Sequence, residues 1–179
     1  RVFEDGRHEV MASDLGVACG LAFDVEGSLY VGDRGGTIFR IHPSGRTEKL
    51  ATVPPSVAAF HPATLPEGDL YVSAPTLASY DAVRRISPNG AVETLETPFG
   101  RPQGLAFDPA GILHVVEALA GASGVYALRP GSPPELIVAG AGLVGLAFGP
   151  GGQLAVASNE SLFTFAPDAV SGFSRTAIA

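Results

Sequence analysis

The phrase Gly-Leu-Ala-Phe occurs at Gly20 to Phe23, Gly104 to Phe107 and Gly145 to Phe148, and it constrains the fold more than any other feature. Each copy runs into a turn (Val25-Glu26-Gly27, Pro109-Ala110-Gly111, Pro150-Gly151-Gly152) and then into a β-favouring triplet: Leu29-Tyr30-Val31, Leu113-His114-Val115 and Leu154-Ala155-Val156. Pro66-Glu67-Gly68-Asp69 and Leu70-Tyr71-Val72 supply a fourth turn and triplet. The triplet leucines, at 29, 70, 113 and 154, are therefore 41, 43 and 41 residues apart. A period of about 40 to 50 residues made of short strands is the pattern of β-propeller blades. No 3.6-residue apolar period is sustained anywhere, which excludes solenoids of paired helices.

The fold class expected is all-β, a β-propeller of four-stranded antiparallel blades. In the first complete unit the strands are predicted at Gly20 to Asp24, Ser28 to Gly32, Thr37 to His42 and Thr47 to Val53. Pro43-Ser44-Gly45-Arg46 joins the last two, with counterparts at Pro88-Asn89-Gly90 and Pro130-Gly131-Ser132. Proline presets φ and Gly or Asn accepts a positive one, so these read as hairpin turns. The first two strands of each unit are nearly continuous apolar runs, as expected for sheets covered on both faces. The outer strand (Thr47-Glu48-Lys49-Leu50, Glu93-Thr94-Leu95-Glu96) is more polar and should form the rim.

The blades are placed at 16–53, 54–97, 98–139 and 140–179, with 1–15 as the end of a preceding blade. Arg1 to Arg7 aligns with Arg40 to Arg46 position by position, so the chain starts within a third strand. Leu162 to Phe165 gives the fourth unit its third strand and Phe173 to Ala179 a candidate outer strand. Two readings follow: these are four blades of a longer propeller, which is preferred, or His8 to Leu15 closes a four-bladed ring.

Composition narrows the partners. The chain has 179 residues and is 46% hydrophobic, enough for a substantial core. Its apolar runs stay far below the ~18 residues of a spanning helix, so no membrane span is expected. With a net charge of −7, 11 basic residues and Lys49 as the sole lysine, it has no polybasic surface for nucleic acid. Cys19, the single cysteine, allows neither an intrachain disulfide nor a paired-cysteine metal site. A bias toward Arg, Ala and Gly points to a bacterial source and discounts Asn159-Glu160-Ser161 as a glycosylation site. The location stays open between compartments, with extracellular or periplasmic preferred.

The phrase Gly-Leu-Ala-Phe-Asp-x-x-Gly-x-Leu-Tyr-Val, followed by Gly-Asp-Arg-Gly-Gly-Thr-Ile-Phe-Arg-Ile, resembles the NHL-repeat and gluconolactonase-like (senescence marker protein) superfamily of six-bladed β-propellers. The resemblance covers residues 17 to 165. It implies about 250 residues for six blades of this period, hence nearly two further N-terminal blades. The superfamily holds metal-dependent lactonases, lyases and non-catalytic binding domains, so fold alone does not select a function.

In the lactonase branch the resemblance implies a divalent metal held near the channel mouth by a glutamate of the first blade and by Asn or Asp just before the glycine of later innermost strands. The matching positions here are Cys19, Phe60, Gln103 and Val144. Only Gln103 offers an oxygen, and a neutral one, whereas a hard cation wants several oxygens and negative charge. No cofactor is therefore expected, with Ca or Zn entering only under the lactonase reading.

Glu117 stands where a lyase-like branch carries a carboxylate; the plainer reading is that Glu117 and Asp33 cap the turns after the second strand. His61 replaces the glycine of the other innermost strands and is a candidate base or ligand at the channel mouth; alternatively it begins a His-Pro turn. His8, His42 and His114 do not converge on it. A Gly-x-Ser-x-Gly motif and a strand-to-helix phosphate loop are both missing. The loop face collects Asp33, Arg34, His61, Tyr80, Asp81, Arg101, Gln103, Glu117, Asn159 and Glu160. Its longest loop, Ser73 to Ala82, carries Tyr80, and long loops on a rigid scaffold are where binding resides. The expectation is a non-catalytic module for a protein or small polar ligand at this mouth; the alternative is a metal-dependent lactonase or related hydrolase.

Overall fold

The computed structural model describes residues 1–66, 68–119, 121–167 and 176–177, and every named element is a strand. Four antiparallel sheets follow one another along the chain. The first blade is β1 (Ala18–Phe23), β2 (Leu29–Asp33), β3 (Thr37–Ile41) and β4 (Thr47–Thr52), in that order across the sheet. The second is β5 (His61–Thr64), β6 (Leu70–Ser73), β7 (Asp81–Ile86) and β8 (Val92–Phe99). The third is β9 (Pro102–Phe107), β10 (Leu113–Glu117), β11 (Gly124–Leu128) and β12 (Glu135–Ala139). The last described sheet is β13 (Leu143–Phe148), β14 (Leu154–Ser158) and β15 (Leu162–Phe165).

The blades are joined innermost strand to innermost strand, β1 against β5, β5 against β9 and β9 against β13. The period in the sequence is thus the repeat of one β-propeller blade.

The repeated turn residues make repeated turns. Gly27 N–H donates to Asp24 O, Gly68 to Leu65, Gly111 to Asp108 and Gly152 to Gly149, closing the same first hairpin in all four blades. The alignment of the N-terminus with the third-to-outer-strand turn also holds in three dimensions. Gly6 N donates to Phe3 O and Phe3 N to Arg7 O, as Gly45 N does to His42 O and His42 N to Arg46 O. Val2 and His8 pair across that first turn.

Alternation sorts the side chains onto two faces. Tyr30, Ile38, Ala51 and Val53 of the first blade bury against Phe60, Leu70, Val72 and Ile86 of the second. Ala63 and Val83 bury against Leu105, Leu113 and Val115 of the third. Val116, Val125 and Ala127 bury against Leu143, Leu154 and Val156 of the fourth.

Three expectations change. The first innermost strand begins at Ala18 rather than Gly20, because its pairing with β2 runs through a bulge between Ala18 and Leu21. It is not covered on both faces: Leu21 and Phe23 are 62% and 54% exposed, and among the described residues no blade packs on that side. Ala12 and Leu15 pack on Leu29, Val31 and Ile41 of the first blade, so the His8 to Leu15 segment does not close a ring on the last one. The strand expected over Phe173 to Ala179 lies outside the described residues except at β16 (Thr176–Ala177), which pairs in parallel with β12 of the third blade.

Candidate functional site at the channel mouth

The innermost strands enter the channel through irregular backbone. Register shifts interrupt β1 around Cys19 and Gly20, β9 around Gln103 and Gly104, and β13 around Val144. A bulge adds an unpaired residue and re-aims its side chain, so the residue before each glycine is the one released from the ladder. The glycine is required by proximity. Gly20 has φ +79°, and a Cβ there would sit 1.9 Å from the Phe60 carbonyl oxygen. At Gly104 a Cβ would lie 2.9 Å from the Cα of Gly145.

The second blade breaks this pattern. β5 pairs with β6 without a shift, His61 opposite Ser73 and Ala63 opposite Tyr71. His61 shares its face with Ala63, which packs toward the third blade. Its imidazole is largely withdrawn from water, and Nε2 is buried with no hydrogen-bond partner among the described residues. Burial pushes its pKa below the ordinary 6.5, opposed in part by the neighbouring Gln103 side chain. Burial therefore favours the neutral ring; Nε2 has no partner within hydrogen-bond geometry among the described residues, although the Gln103 amide lies close enough to oppose the shift. Ser73, fully buried, donates its hydroxyl hydrogen to the Gln103 backbone carbonyl.

His61, Ser73 and Gln103 thus meet where the second and third blades adjoin. Sequence reasoning passed over Ser73. A signal existed: the equivalent positions in the other blades are Gly32, Val116 and Ala157, none of them polar.

The acidic candidates are placed differently. Glu117 is only 3% exposed, and its carboxylate accepts three backbone N–H groups, from Gly100 (2.6 Å), Arg101 (2.8 Å) and Leu119 (2.7 Å). Asp33 Oδ1 accepts from Val17 N at 2.8 Å. Each carboxylate ties the end of a second strand to the linker entering the innermost strand. Asp81, buried at the end of the long loop, accepts from the backbone N and the Oγ1 of Thr76.

Arg34 donates to the Val57 carbonyl and ties its loop to the next blade. Tyr80 is 66% exposed and Arg101 is exposed beside the Gln103 strand. Asn159 and Glu160 line a shallow hollow of about 350 Å³ with Ala141, Gly142 and Phe163 at the top of the last blade. A larger cleft of about 720 Å³ opens at the opposite end, between the second and third blades, lined by Leu65, Tyr71, Leu95, Phe107 and Leu128.

A divalent metal is the group the resemblance implies, and the residues present do not fit it. Among the described residues no three His, Cys, Asp or Glu side chains come together in a way that could hold a metal ion. The released positions carry a thiol, a neutral amide and an isopropyl group, while Glu117 and Asp33 are committed to backbone N–H groups. Among the same residues no helix is long and apolar enough to cross a membrane.

Neither a family profile nor a curated protein sequence matches the chain. Solved structures do. A gluconolactonase from Xanthomonas campestris superposes with a TM-score of 0.71 at 19% identity, over 90% of this chain and 62% of its own. A candidate gluconolactonase gives 0.71 at 20% identity, over 92% and 65%. The aldose sugar dehydrogenase of Streptomyces coelicolor, in its PQQ-bound form, gives 0.64 at 21%, over 84% and 58%. The chain therefore spans less than two thirds of the length of these proteins. At such identities what is shared is architecture, and the chain has the β-propeller fold of the gluconolactonases.

Proposed function

We propose that this propeller is a non-catalytic binding or assembly module that takes a protein or a small polar ligand at the channel mouth, in an extracellular or periplasmic setting. The observation that carries it is the junction of the second and third blades. The buried Nε2 of His61 has no hydrogen-bond partner there among the described residues and lies beside the Gln103 side chain. A buried polar atom left unpaired costs about 1–3 kcal/mol, a cost that a polar ligand group hydrogen-bonded to Nε2 would recover once it displaces the side chains covering that atom. Gln103 brings both a donor and an acceptor, and Arg101 and Tyr80 stand exposed on the same face to meet a larger partner.

The second reading is a lactonase, favoured by the names of the structures this chain superposes on. It needs donors that the described residues do not bring together.

Calorimetric titration with Ca²⁺ and with Zn²⁺, run beside a lactone-hydrolysis assay, separates the two. No heat and no turnover, together with a shift of the His61 ring resonances on adding small polyols or carboxylates, is the expected result. Micromolar metal binding coupled to turnover overturns the binding-module reading.

A further inference from the structure

At the end opposite the channel mouth, the first two blade junctions are built from equivalent residues and differ in how far they are filled. Between the first and second blades the space is small, about 160 Å³. Tyr30 OH donates there to Asp24 Oδ2, and Arg40 reaches across to the Pro88 carbonyl of the next blade at 3.0 Å. Gly90, in the same turn as Pro88, seats directly on the first blade: a Cβ there would lie 2.3 Å from the Leu50 carbonyl oxygen.

Between the second and third blades, both of them internal to the chain, the same space is about 720 Å³. Three residue changes hold it open. Arg85 is the counterpart of Arg40, paired opposite Tyr71 as Arg40 is opposite Tyr30. It stays on its own blade, donating to Asp69 at 2.8 Å and to Glu93 at 3.2 Å, and Asp69 stands where the first blade has Ser28. Ser132 takes the place of Gly90, donating its N–H to Arg129 O as Gly90 does to Ser87 O. It is exposed, and its Cβ excludes so close a seat on the preceding blade. Leu65 takes the place of Asp24. Asp24 and Asp108 each accept two backbone N–H groups within their turns, so a leucine here forgoes a turn cap and adds an apolar side chain to the cleft. Without that aspartate, the Tyr71 hydroxyl has no hydrogen-bond partner among the described residues.

We propose that this cleft is a second binding site, separate from the channel mouth, and that it takes an aromatic carboxylate. Its volume falls within the range of about 300–1,000 Å³ usual for small-molecule pockets. Tyr71 and Phe107 meet edge to face, with centroids 5.2 Å apart and planes at 79°. Together with Leu65, Leu95 and Leu128 they offer an apolar wall to a third ring. Arg129 is the charged side chain among the described residues lining the cleft. It meets Glu135 only through Nε, at 3.4 Å, which leaves both terminal nitrogens without a hydrogen-bond partner among the described residues. A planar guanidinium so placed accommodates a carboxylate in two parallel bonds.

Titration of the methyl-labelled whole chain with 2-naphthoate, followed by NMR, tests this. The methyl resonances of Leu65, Leu95 and Leu128 are expected to move along one saturable curve, while the His61 ring reports separately on the mouth. 2-Naphthol, which lacks the carboxylate, should bind about ten-fold more weakly or worse, and decanoate should bind more weakly than 2-naphthoate. Leu65→Asp restores the arrangement of the first blade: it should keep the melting temperature, through the regained turn cap, and lose 2-naphthoate binding. Arg129→Gln, at a half-exposed position, keeps the test open if Leu65→Asp melts early; it should weaken 2-naphthoate about ten-fold and leave 2-naphthol unchanged. Leucine methyls that do not respond at millimolar 2-naphthoate overturn the proposal. So do full binding by a folded Leu65→Asp, an unaltered 2-naphthoate affinity in Arg129→Gln, or tighter binding of decanoate, which would mark an acyl-chain groove instead.

Discussion

Glu117→Gln is nearly isosteric and separates a structural carboxylate from a functional one. In the native protein Oε2 accepts from Gly100 N and Oε1 accepts from both Arg101 N and Leu119 N, at the end of a strand that is buried throughout. A glutamine has one oxygen. If that oxygen keeps the two bonds at Arg101 and Leu119, the NH₂ is pushed against the Gly100 N–H, donor against donor at what was a 2.6 Å contact. One hydrogen bond to a charged group is lost, worth about 1.5–3 kcal/mol. A buried donor is left unsatisfied, costing about 1–3 kcal/mol, and the remaining two bonds lose their charge assistance. These effects overlap because they share atoms, so the expected destabilisation is about 2–4 kcal/mol.

Urea unfolding measures it directly: the midpoint should fall with the slope unchanged. The melting temperature should drop by roughly 10 °C, at ~2–4 °C per kcal/mol for a chain of this size. Glu117→Ala should cost at least as much, since all three N–H groups are then orphaned. A Glu117→Gln loss below about 0.5 kcal/mol would refute the reasoning, because the carboxylate would then not be holding the entry to β9. Glu117 would return as a candidate acid or base at the mouth.

Gly20→Ala should destabilise by at least about 2 kcal/mol, from the left-handed φ that a Cβ disfavours and from its collision with the Phe60 carbonyl; urea unfolding reads this, and a neutral result would mean that β1 and β5 separate at no cost. The Glu48 carboxyl, held at a pKa of about 2 by hydrogen bonds from Arg40 and then His42, should stay ionised down to very acid pH, and its contribution to stability should be complete above pH 4.5 and lost only toward pH 2. A carboxyl ¹³C titration with a midpoint near 4.5 would contradict that. Burial lowers the pKa of His61 and of His114, so the unfolded chain binds those protons first; stability should be full above pH 6.5 and decline as pH falls through the depressed folded-state values. His114→Gln should flatten that decline between pH 7 and 5, at the expense of the edge-to-face contact with Phe148, whose centroid lies 4.8 Å away.

The fold was legible because each blade obeys the same local constraints. Gly27, Gly68, Gly111 and Gly152 all carry positive φ in one turn type, and the Leu-x-Val triplets fill the junctions between blades. The turn at Arg1 to Arg7 was equally readable, since Gly6 performs the role of Gly45. What sequence spacing does not contain is register and company. The bulge that starts β1 at Ala18 depends on how closely β5 approaches Gly20, a contact 40 residues away in the chain. The exposure of Leu21 and Phe23 depends on what lies beyond them, and their own composition says only that they belong against something. Glu117 looked like a functional carboxylate and a turn cap at once; only the three N–H groups aimed at it decide.

A repeat protein gives its departures from the repeat a particular meaning. Stability asks every blade for the same residues at the same places, since each junction is packed by the same rule. A polar residue standing where the other blades have an apolar or small one therefore has a local reason. Asp33, Glu117 and Ser158 occupy one such position; Asp33 and Glu117 hold the linker entering their innermost strand, and Ser158 caps its own loop. The position before them is Gly32, Ser73, Val116 and Ala157, and there only the second blade is polar, with Ser73 bonded across to the third. In the innermost strands, His61 stands where a glycine is the rule, and Gln103 is the one oxygen donor among the residues released by bulges. These three departures fall at a single junction, although nothing in the packing of four equivalent blades requires them to coincide. Ser73 and Gln103 are coupled by their own hydrogen bond, and their meeting beside a His61 nitrogen with no hydrogen-bond partner among the described residues is the observation on which the proposed ligand site at this junction rests.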